Sequence, residues 1–196
     1  MEGKEHTFIK RRGIDDRGQV SWKRWPGCSY LCGAYCPGSD KTRSFCTGFP
    51  SFGPERRGAP VLAFLRVSDK PIRLRSRVYQ PDNVIILDAT LLGTVNPADG
   101  LKHGGFVIIN SNKSKDELRK LFPDANIAYV DALKIAKEEL GVPITNTTML
   151  GSLIKITNIV DIASLEEPVR ERFGVVAQKN INAYMRAYKE TVMIKA

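Results

Sequence analysis

The chain has 196 residues, of which 42% are hydrophobic and 26% are charged, as in a typical soluble globular protein. Lysine and arginine number 30 against 21 aspartate and glutamate residues, which gives a formal net charge of +9. This composition excludes a disordered, collagen-like or coiled-coil protein, and no apolar run approaches the ~20 residues that span a bilayer. The charged N-terminus lacks the apolar core of a signal peptide, so a cytoplasmic location without membrane contact is expected.

The N-terminal segment, residues 1–48, differs in character from the rest of the chain. Between Arg11 and Gly48 the apolar residues follow neither helical nor strand periodicity. This segment holds all four cysteines, Cys28, Cys32, Cys36 and Cys46. Their spacing matches neither a paired zinc site nor the ferredoxin patterns, so no metal site is predicted. The composition changes at Gly48/Phe49, and we take residues 49–196 as a separate domain.

From residue 49 onward, apolar runs typical of strands alternate with amphipathic runs typical of helices. Strands are predicted over 59–67, 72–78, 83–88, 104–110 and 126–132, and helices over 114–122, 132–141, 145–160, 164–174 and 180–192. Ser114 with Glu117, and Ser164 with Glu167, have the spacing of a capping box, and Asn146 or Thr147 is predicted to cap the third helix. The alternation predicts an α/β fold, a mostly parallel sheet flanked by helices.

The predicted strand 72–78 is the strongest electrostatic feature. Its strict alternation places Arg73, Arg75 and Arg77 on one face, and we expect it to form a hairpin or edge pair with strand 59–67. Because guanidinium groups are costly to bury unpaired, this basic face must meet water, an acidic subunit surface or a phosphorylated ligand. Nucleic acid is not expected, since no nucleic-acid motif and no interleaved aromatic residues accompany the arginines.

Two further positions were considered for chemistry. Asp88 ends the strand 83–88, where ligands bind in open parallel sheets, although a carboxylate there also serves as a helix cap or loop anchor. His103 is expected to be an exposed loop residue. The chain has no dinucleotide-binding glycine motif, no phosphate-binding loop and no nucleophile elbow. It therefore lacks a self-contained active site, which favours a subunit over a stand-alone enzyme.

The segment FPSFGPERRGAPVLAFLRVSDKPIRLRSRVYQPD, residues 49–82, resembles the γ subunit of the pyruvate:ferredoxin oxidoreductase (pyruvate synthase) family, in its four-subunit archaeal type. The blocks VIILDATLL, GLKHGGFVIIN, GVPITNTTMLGSLIK, SLEEPVRERF and KNINAYMRAY extend the resemblance in the same order. It implies an α/β subunit of the anaerobic complex that reversibly converts pyruvate, coenzyme A and oxidised ferredoxin to acetyl-CoA, carbon dioxide and reduced ferredoxin. It also implies α, β and δ partner subunits that hold thiamine diphosphate, Mg²⁺ and [4Fe–4S] clusters, with no cofactor bound by this chain alone.

The resemblance assigns candidate roles to a few positions. Glu55, Arg56 and Arg57 match a loop-and-strand motif of the family, and our hypothesis places them at a subunit interface near the catalytic cleft. There the arginines would be available to acids or to coenzyme A phosphates. Asn146 and Thr147 match a second motif, where a loop enters a helix and small residues would permit close subunit packing. No residue of this chain is assigned a catalytic role.

Residues 11–48 depart from the family, which begins with a strand, a glycine-rich turn and an alanine-rich helix. The length is preserved while the turn and the helix are missing, which favours a compensated frameshift in the underlying reading frame. A divergent N-terminal segment is the alternative. Two alternative functions also stay open: the γ subunit of a sister complex that uses 2-oxoisovalerate, and a stand-alone nucleotide or nucleic-acid binding module that uses the arginine face.

Overall fold

Short runs of β-branched and apolar residues form the strands of one sheet. The computed structural model describes residues 4–11, 45–51, 60–68, 70–73, 76–93 and 96–196. Their strands are β1 (Lys4–Arg11), β2 (Phe45–Ser51), β3 (Pro60–Ser68), β4 (Asn83–Ile86), β5 (Phe106–Asn110), β6 (Asn126–Val130) and β7 (Val192–Ile194). The spatial order is β2-β3-β1-β4-β5-β6-β7.

The centre of the sheet is parallel and its flanks are antiparallel. Strands β1, β4, β5 and β6 run in one direction, with Ile9 opposite Ile86 and Ile86 opposite Ile109. Strand β3 is antiparallel to β1 and β2, and β7 is antiparallel to β6. We call the end of the sheet where the four parallel strands finish the carboxyl edge, and the opposite end the amino edge. The α/β fold class is confirmed.

The described helices are α1 (Lys115–Leu121), α2 (Ala132–Leu140), α3 (Thr145–Thr157), α4 (Glu166–Phe173) and α5 (Ala177–Glu190). The predicted capping box of α1 is confirmed: Ser114 Oγ accepts from the Glu117 N–H, and the Ser114 N–H donates to the Glu117 carboxylate at 2.9 Å. Helix α2 ends as predicted at Gly141, whose φ of 74° suits glycine.

Two predicted helix caps were wrong. Ile144 occupies the N-cap position of α3 and makes no side-chain cap, so neither Asn146 nor Thr147 has that role. Ser164 lies in a 3-10 turn, where its hydroxyl donates to the Asp161 carbonyl at 2.6 Å. Helix α4 starts only at Glu166, after this turn, and Leu165 at its N-cap position makes no side-chain cap bond.

Both faces of the sheet are buried, which explains the nearly continuous apolar strands. Helices α2 to α5 cover one face, where Ile85, Ile108 and Tyr184 belong to the same core cluster. Helix α1 covers the other face through Leu118, which packs in the cluster that contains Ile109. Across the described residues, no helix combines the length and the apolarity that a membrane span requires.

The predicted strand 72–78 was wrong. Residues 70–73 and 76–79 form a loop that leads from the end of β3 to the start of β4. Strand β3 has β1 on one side and β2 on the other, so neither of its edges is left to pair with the following segment. Of the alternating arginines, Arg73 and Arg77 are exposed, but alternation in the sequence does not show whether a neighbouring strand is free to pair.

The predicted domain boundary at Gly48/Phe49 falls inside a strand. Strand β2 crosses it, and β1 lies in the centre of the same sheet as the later strands. The separate assignment of residues 1–48 stays a prediction about the sequence, since residues 12–44 lie outside the described part of the chain.

Candidate functional site at the carboxyl edge of the sheet

The carboxyl edge is where a parallel sheet presents its loops to a ligand or partner. Asn110 ends β5 opposite Val130, the last residue of β6. The Asn110 amide nitrogen donates to the Leu87 carbonyl at 3.0 Å, which places the end of β4 in the same row. Asp88 lies two residues after β4 and Asp131 directly follows β6, so three polar side chains lie at adjacent strand ends.

Asp88 acts as a loop anchor. Its Oδ1 accepts from the Thr90 N–H at 3.0 Å and from the Thr90 hydroxyl at 2.7 Å. These bonds hold the start of the 3-10 turn Ala89–Gly93, as carboxylates do at helix N-termini. Of the two roles considered for this residue, the hydrogen bonds support the cap.

Asn110 and Asp131 also organise the backbone at this edge. The Asn110 side-chain oxygen accepts from the Leu133 N–H at 3.2 Å, so this one side chain links β4, β5 and the first turn of α2. Asp131 caps α2 through a bond from the Lys134 N–H at 2.9 Å. The polar side chains at this edge therefore hold the loops that follow the strands in fixed positions.

Glu55, Arg56, Arg57 and Arg75 lie outside the described residues, so their predicted roles stay predictions. The strand ends before and after Glu55, Arg56 and Arg57 are described: β2 ends at Ser51 and β3 begins at Pro60. Pro60 is opposite Arg11, the last residue of β1, and Ser51 is opposite Leu62. Both flanking strand ends therefore lie at the carboxyl edge, on the same edge as Asp88.

Asn146 and Thr147 lie in the first turn of α3, away from this edge. Helix α2 starts at the carboxyl edge and leads to the amino edge, and α3 begins after a short connection. Thr147 is 1% exposed and Asn146 is also buried, so both side chains pack inside this chain. Their predicted contact with a partner subunit stays a prediction.

Gly151, which belongs to the same motif, explains part of the burial of α3. A Cβ added at Gly151 would lie 1.9 Å from the Tyr184 carbonyl oxygen of α5. Glycine therefore allows α3 and α5 to approach closely within this chain, which is where the structure shows the close packing.

Arg73 and Arg77 are exposed in the loop at the amino edge. The Arg77 guanidinium lies 5.6 Å from the ring centroid of Tyr79, and neither arginine forms an ion pair with a described acid. Both side chains are exposed in this chain and do not lie on a strand; which of water, an acidic subunit surface or a phosphorylated ligand they meet stays a prediction.

The sequence analysis missed the role of Arg66. This arginine of β3 is buried, its guanidinium donates to the Ser76 carbonyl at 2.7 Å, and it lies 5.7 Å from the ring centroid of Phe49. The sequence contains a signal for this role, because a charged residue inside an otherwise apolar strand needs a polar partner. The partner, a loop carbonyl, is not visible in the sequence.

No cluster of three or more histidine, cysteine or acidic side chains that could hold a metal occurs among the described residues. Cys46 is the one cysteine in the described part of the chain. His103 is exposed, as expected, and lines an open cavity of about 510 Å³ at the amino edge together with Lys102, Leu121 and Phe122.

Comparison with known families identifies the chain. Residues 39–190 match the model of the pyruvate ferredoxin/flavodoxin oxidoreductase family. The chain belongs to this family. The match begins before the composition boundary at Gly48/Phe49 and continues through α5, so it includes the strand ends before and after Glu55, Arg56 and Arg57.

Named relatives in the oxidoreductase family are gamma-type subunits. The pyruvate/ketoisovalerate oxidoreductases common subunit gamma of Thermococcus litoralis is 50% identical over 76% of this chain and 82% of that protein. The pyruvate synthase subunit PorC of Methanocaldococcus jannaschii is 46% identical over 74% of this chain and 80% of its own length. The resemblance read from the motifs is thereby confirmed.

Solved structures agree with this family assignment. The pyruvate oxidoreductase subunit PORC of Thermotoga maritima has a TM-score of 0.81 and 28% identity, and each chain is covered completely. A 2-oxoglutarate:ferredoxin oxidoreductase from Magnetococcus marinus has a TM-score of 0.72 at 15% identity, which shows the fold alone. The match covers the whole of this chain but only 32% of the Magnetococcus marinus chain. This chain is therefore a gamma-type subunit, and other subunits complete its oxidoreductase.

Proposed function

We propose that this chain is the gamma subunit of pyruvate synthase (EC 1.2.7.1), which reversibly converts pyruvate, coenzyme A and oxidised ferredoxin to acetyl-CoA, carbon dioxide and reduced ferredoxin. The observation that carries the proposal is the likeness to chains named as pyruvate synthase subunit PorC, at 46% identity for the Methanocaldococcus jannaschii protein. The chain contributes mainly to assembly and to the walls of the catalytic cleft.

The carboxyl edge supports a cleft-forming role over a catalytic one. Neighbouring backbone groups or Thr90 are the hydrogen-bond partners of the Asp88, Asn110 and Asp131 side chains. Side chains committed in this way fix the positions of loops that a partner or substrate can contact. Within the proposal, Glu55, Arg56 and Arg57 lie in sequence between two strand ends at this edge, and the two arginines bind carboxylates or coenzyme A phosphates.

The proposal assigns the cofactors to partner subunits. A [4Fe–4S] cluster needs four thiolates, and the described residues, which include only Cys46, do not fit such a group. We assign thiamine diphosphate, Mg²⁺ and the clusters to α, β and δ subunits, in a cytoplasmic complex of an anaerobe. Pyruvate, coenzyme A and ferredoxin then reach this chain only through the assembled complex.

A second candidate is a gamma subunit shared with a 2-oxoisovalerate oxidoreductase. It is favoured by the 50% identical Thermococcus litoralis relative, which is named as common to pyruvate and ketoisovalerate oxidoreductases. The two candidates differ in which catalytic subunits accompany the chain.

The test is purification of the complex through an affinity tag on this chain, from its own host and without oxygen. Co-purified subunits are identified by mass spectrometry, and coenzyme A-dependent reduction of methyl viologen is measured with pyruvate and with 2-oxoisovalerate. Pyruvate activity alone supports the first candidate, and activity with both substrates supports the second. Recovery of the tagged chain without catalytic oxidoreductase subunits would contradict both.

A further inference from the structure

Exposed apolar side chains gather at one end of this molecule. Among the described residues nine large hydrophobic side chains are exposed. Six of them lie at the amino edge, and we call this set of exposed residues the amino-edge patch: Tyr79, Leu121, Val142, Ile144, Val175 and Val176. This is the end opposite to the carboxyl edge and its cleft-forming loops.

Two members are placed by the strands that flank them. Tyr79 lies between Ser68, the last residue of β3, and Asn83, the first residue of β4, and both of these are at the amino edge. Leu121 ends α1, which leads from the end of β5 towards the start of β6. The open cavity that Leu121 lines lies at the same end.

The other four members are placed by the helices that follow them. Gly151 of α3 faces the Tyr184 backbone of α5, and Lys155, one turn later, donates to the carbonyls of Lys189 and Thr191 at 3.1 and 2.8 Å. The contacts advance in the same direction on both helices, so α3 and α5 run parallel and begin at the same end. Val142 and Ile144 precede α3, and Val175 and Val176 precede α5.

The exposure of these side chains is large. Val175 is 102% exposed, and Val176, Val142 and Ile144 are between 43% and 48% exposed. Removing such side chains from water favours association. A gathering of exposed apolar residues on one end of a soluble protein typically marks a protein interface.

Basic residues border this end of the molecule. Lys70, Arg73 and Arg77 are exposed in the loop that contains Tyr79, and none of them forms an ion pair with a described acid. Lys102 is already paired with Asp82 at 3.0 Å. Protein interfaces usually combine an apolar centre with a polar rim. Because the cations of this rim are unpaired, they favour a partner surface that carries acidic side chains.

We propose that the amino-edge patch is the permanent docking face of this chain for another subunit of its complex, which offers an apolar surface bordered by acidic side chains. The inference rests on the proposed function. A gamma-type chain has other subunits as constant neighbours, and in the Magnetococcus marinus enzyme the same fold is part of a chain about three times longer, of which it matches 32%. An apolar surface that never needs to face water fits such a constant neighbour.

The test compares tagged variants in the complex purified from the host. Val175→Glu combined with Ile144→Glu is expected to lower the amount of co-purified partner subunit roughly tenfold, since it places two charges in an apolar contact. The control is Val192→Glu combined with Met193→Glu, which changes two exposed apolar residues of β7 outside the patch (46% and 50% exposed) and should retain the partner. Circular-dichroism melting of each variant confirms that the chain is folded.

A second arm tests the rim. Arg73→Glu combined with Arg77→Glu is expected to reduce retention and to weaken its dependence on salt, because the attraction between exposed charges is screened by ions. Retention of the partner at the wild-type level by both sets of variants would overturn the docking face and leave the proposed function intact. A wild-type chain that retains no oxidoreductase subunit overturns the proposed function and the docking face together. Loss of self-association alone, measured by light scattering, would identify a second copy as the occupant and also overturn the proposal.

Discussion

At the scale of single residues, the least satisfied group in the described core is the Tyr184 hydroxyl. Tyr184 is fully buried, and its hydroxyl has no hydrogen-bond partner, a state it shares with the buried Thr148 hydroxyl. Burial raises the pKa of Tyr184 to about 12, because the apolar surroundings disfavour the phenolate. The ring contributes packing, whereas the hydroxyl contributes no bond.

We therefore expect Tyr184→Phe to leave the free energy of unfolding unchanged at pH 8, or to raise it by about 1 kcal/mol. In the wild type the neutral phenol is favoured by folding, so its stabilising contribution is complete below pH 10 and is lost as the pH rises through about 12. Urea unfolding at pH 8 and pH 11 measures this. The loss between the two pH values should be smaller in Tyr184→Phe than in the wild type. Equal losses in the two proteins would show that Tyr184 does not titrate as described.

Arg119 gives a second prediction at this scale. Its guanidinium donates to the carbonyls of Phe122, Pro123 and Ala125 at 3.0–3.2 Å, and to that of Lys195 beyond β7. A lysine cannot present this fork of donors, so Arg119→Lys should lower the free energy of unfolding by about 2 kcal/mol. Thermal melting checks this against the exposed neighbour Lys120→Arg, which should be neutral. A neutral Arg119→Lys would mean that these bonds add nothing to stability.

At the scale of elements, the close approach of α3 and α5 depends on one glycine. Gly151→Ala introduces a Cβ that would lie 1.9 Å from the Tyr184 carbonyl, and a backbone atom cannot move aside cheaply. We expect a loss of about 3 kcal/mol, from overpacking. Gly104→Ala is the control: no atom lies within 4 Å of its added Cβ, and only its φ of 80° is strained, which costs about 1 kcal/mol. Equal losses in urea unfolding would contradict the packing argument.

Local signals account for the elements that were predicted correctly. Helix α1 follows from Ser114 and Glu117, α2 from Gly141, and strands β4 to β6 from short apolar runs. Pairing is not local. The segment 72–78 was mistaken for a strand because its arginines alternate, whereas β3 already had two neighbours, β1 and β2, and β2 begins in the segment without periodicity. Strand β7, with three residues, is too short for a periodic signal.

The same distinction holds for the candidate site. The position of Asp88 at the carboxyl edge was predictable, because the ends of parallel strands meet there. The role of Asp88 depends on the hydrogen bonds that it accepts from Thr90. The burial of Arg66 depends on the Ser76 carbonyl, which lies close to Arg66 only in the folded chain. The gamma-type assignment came from motifs, since no residue pattern in this chain encodes the reaction.

At the scale of the whole molecule, the two edges of the sheet differ in character. The carboxyl edge carries anchored polar residues and the strand ends that flank Glu55, Arg56 and Arg57, whereas the amino edge carries exposed apolar and basic side chains. A subunit with this polarity can contribute one edge to a cleft and dock through the other.

The N-terminal segment gives a further prediction at this scale. If residues 11–48 result from a compensated frameshift, the native subunit differs in mass from the 21.8 kDa of the given sequence, and its N-terminal peptides carry the glycine-rich turn of the family. Intact mass and peptide mapping of the native subunit measure this. A native mass that equals the given sequence would refute the frameshift and establish a divergent segment.

Anaerobic purification of the native complex through this chain, with its subunits identified and its activity measured, tests whether the chain is a subunit of a 2-oxoacid oxidoreductase. We expect co-purified catalytic oxidoreductase subunits and pyruvate-dependent, coenzyme A-dependent reduction of methyl viologen. Isolation of the chain alone, or with subunits that turn over neither pyruvate nor 2-oxoisovalerate, would contradict it.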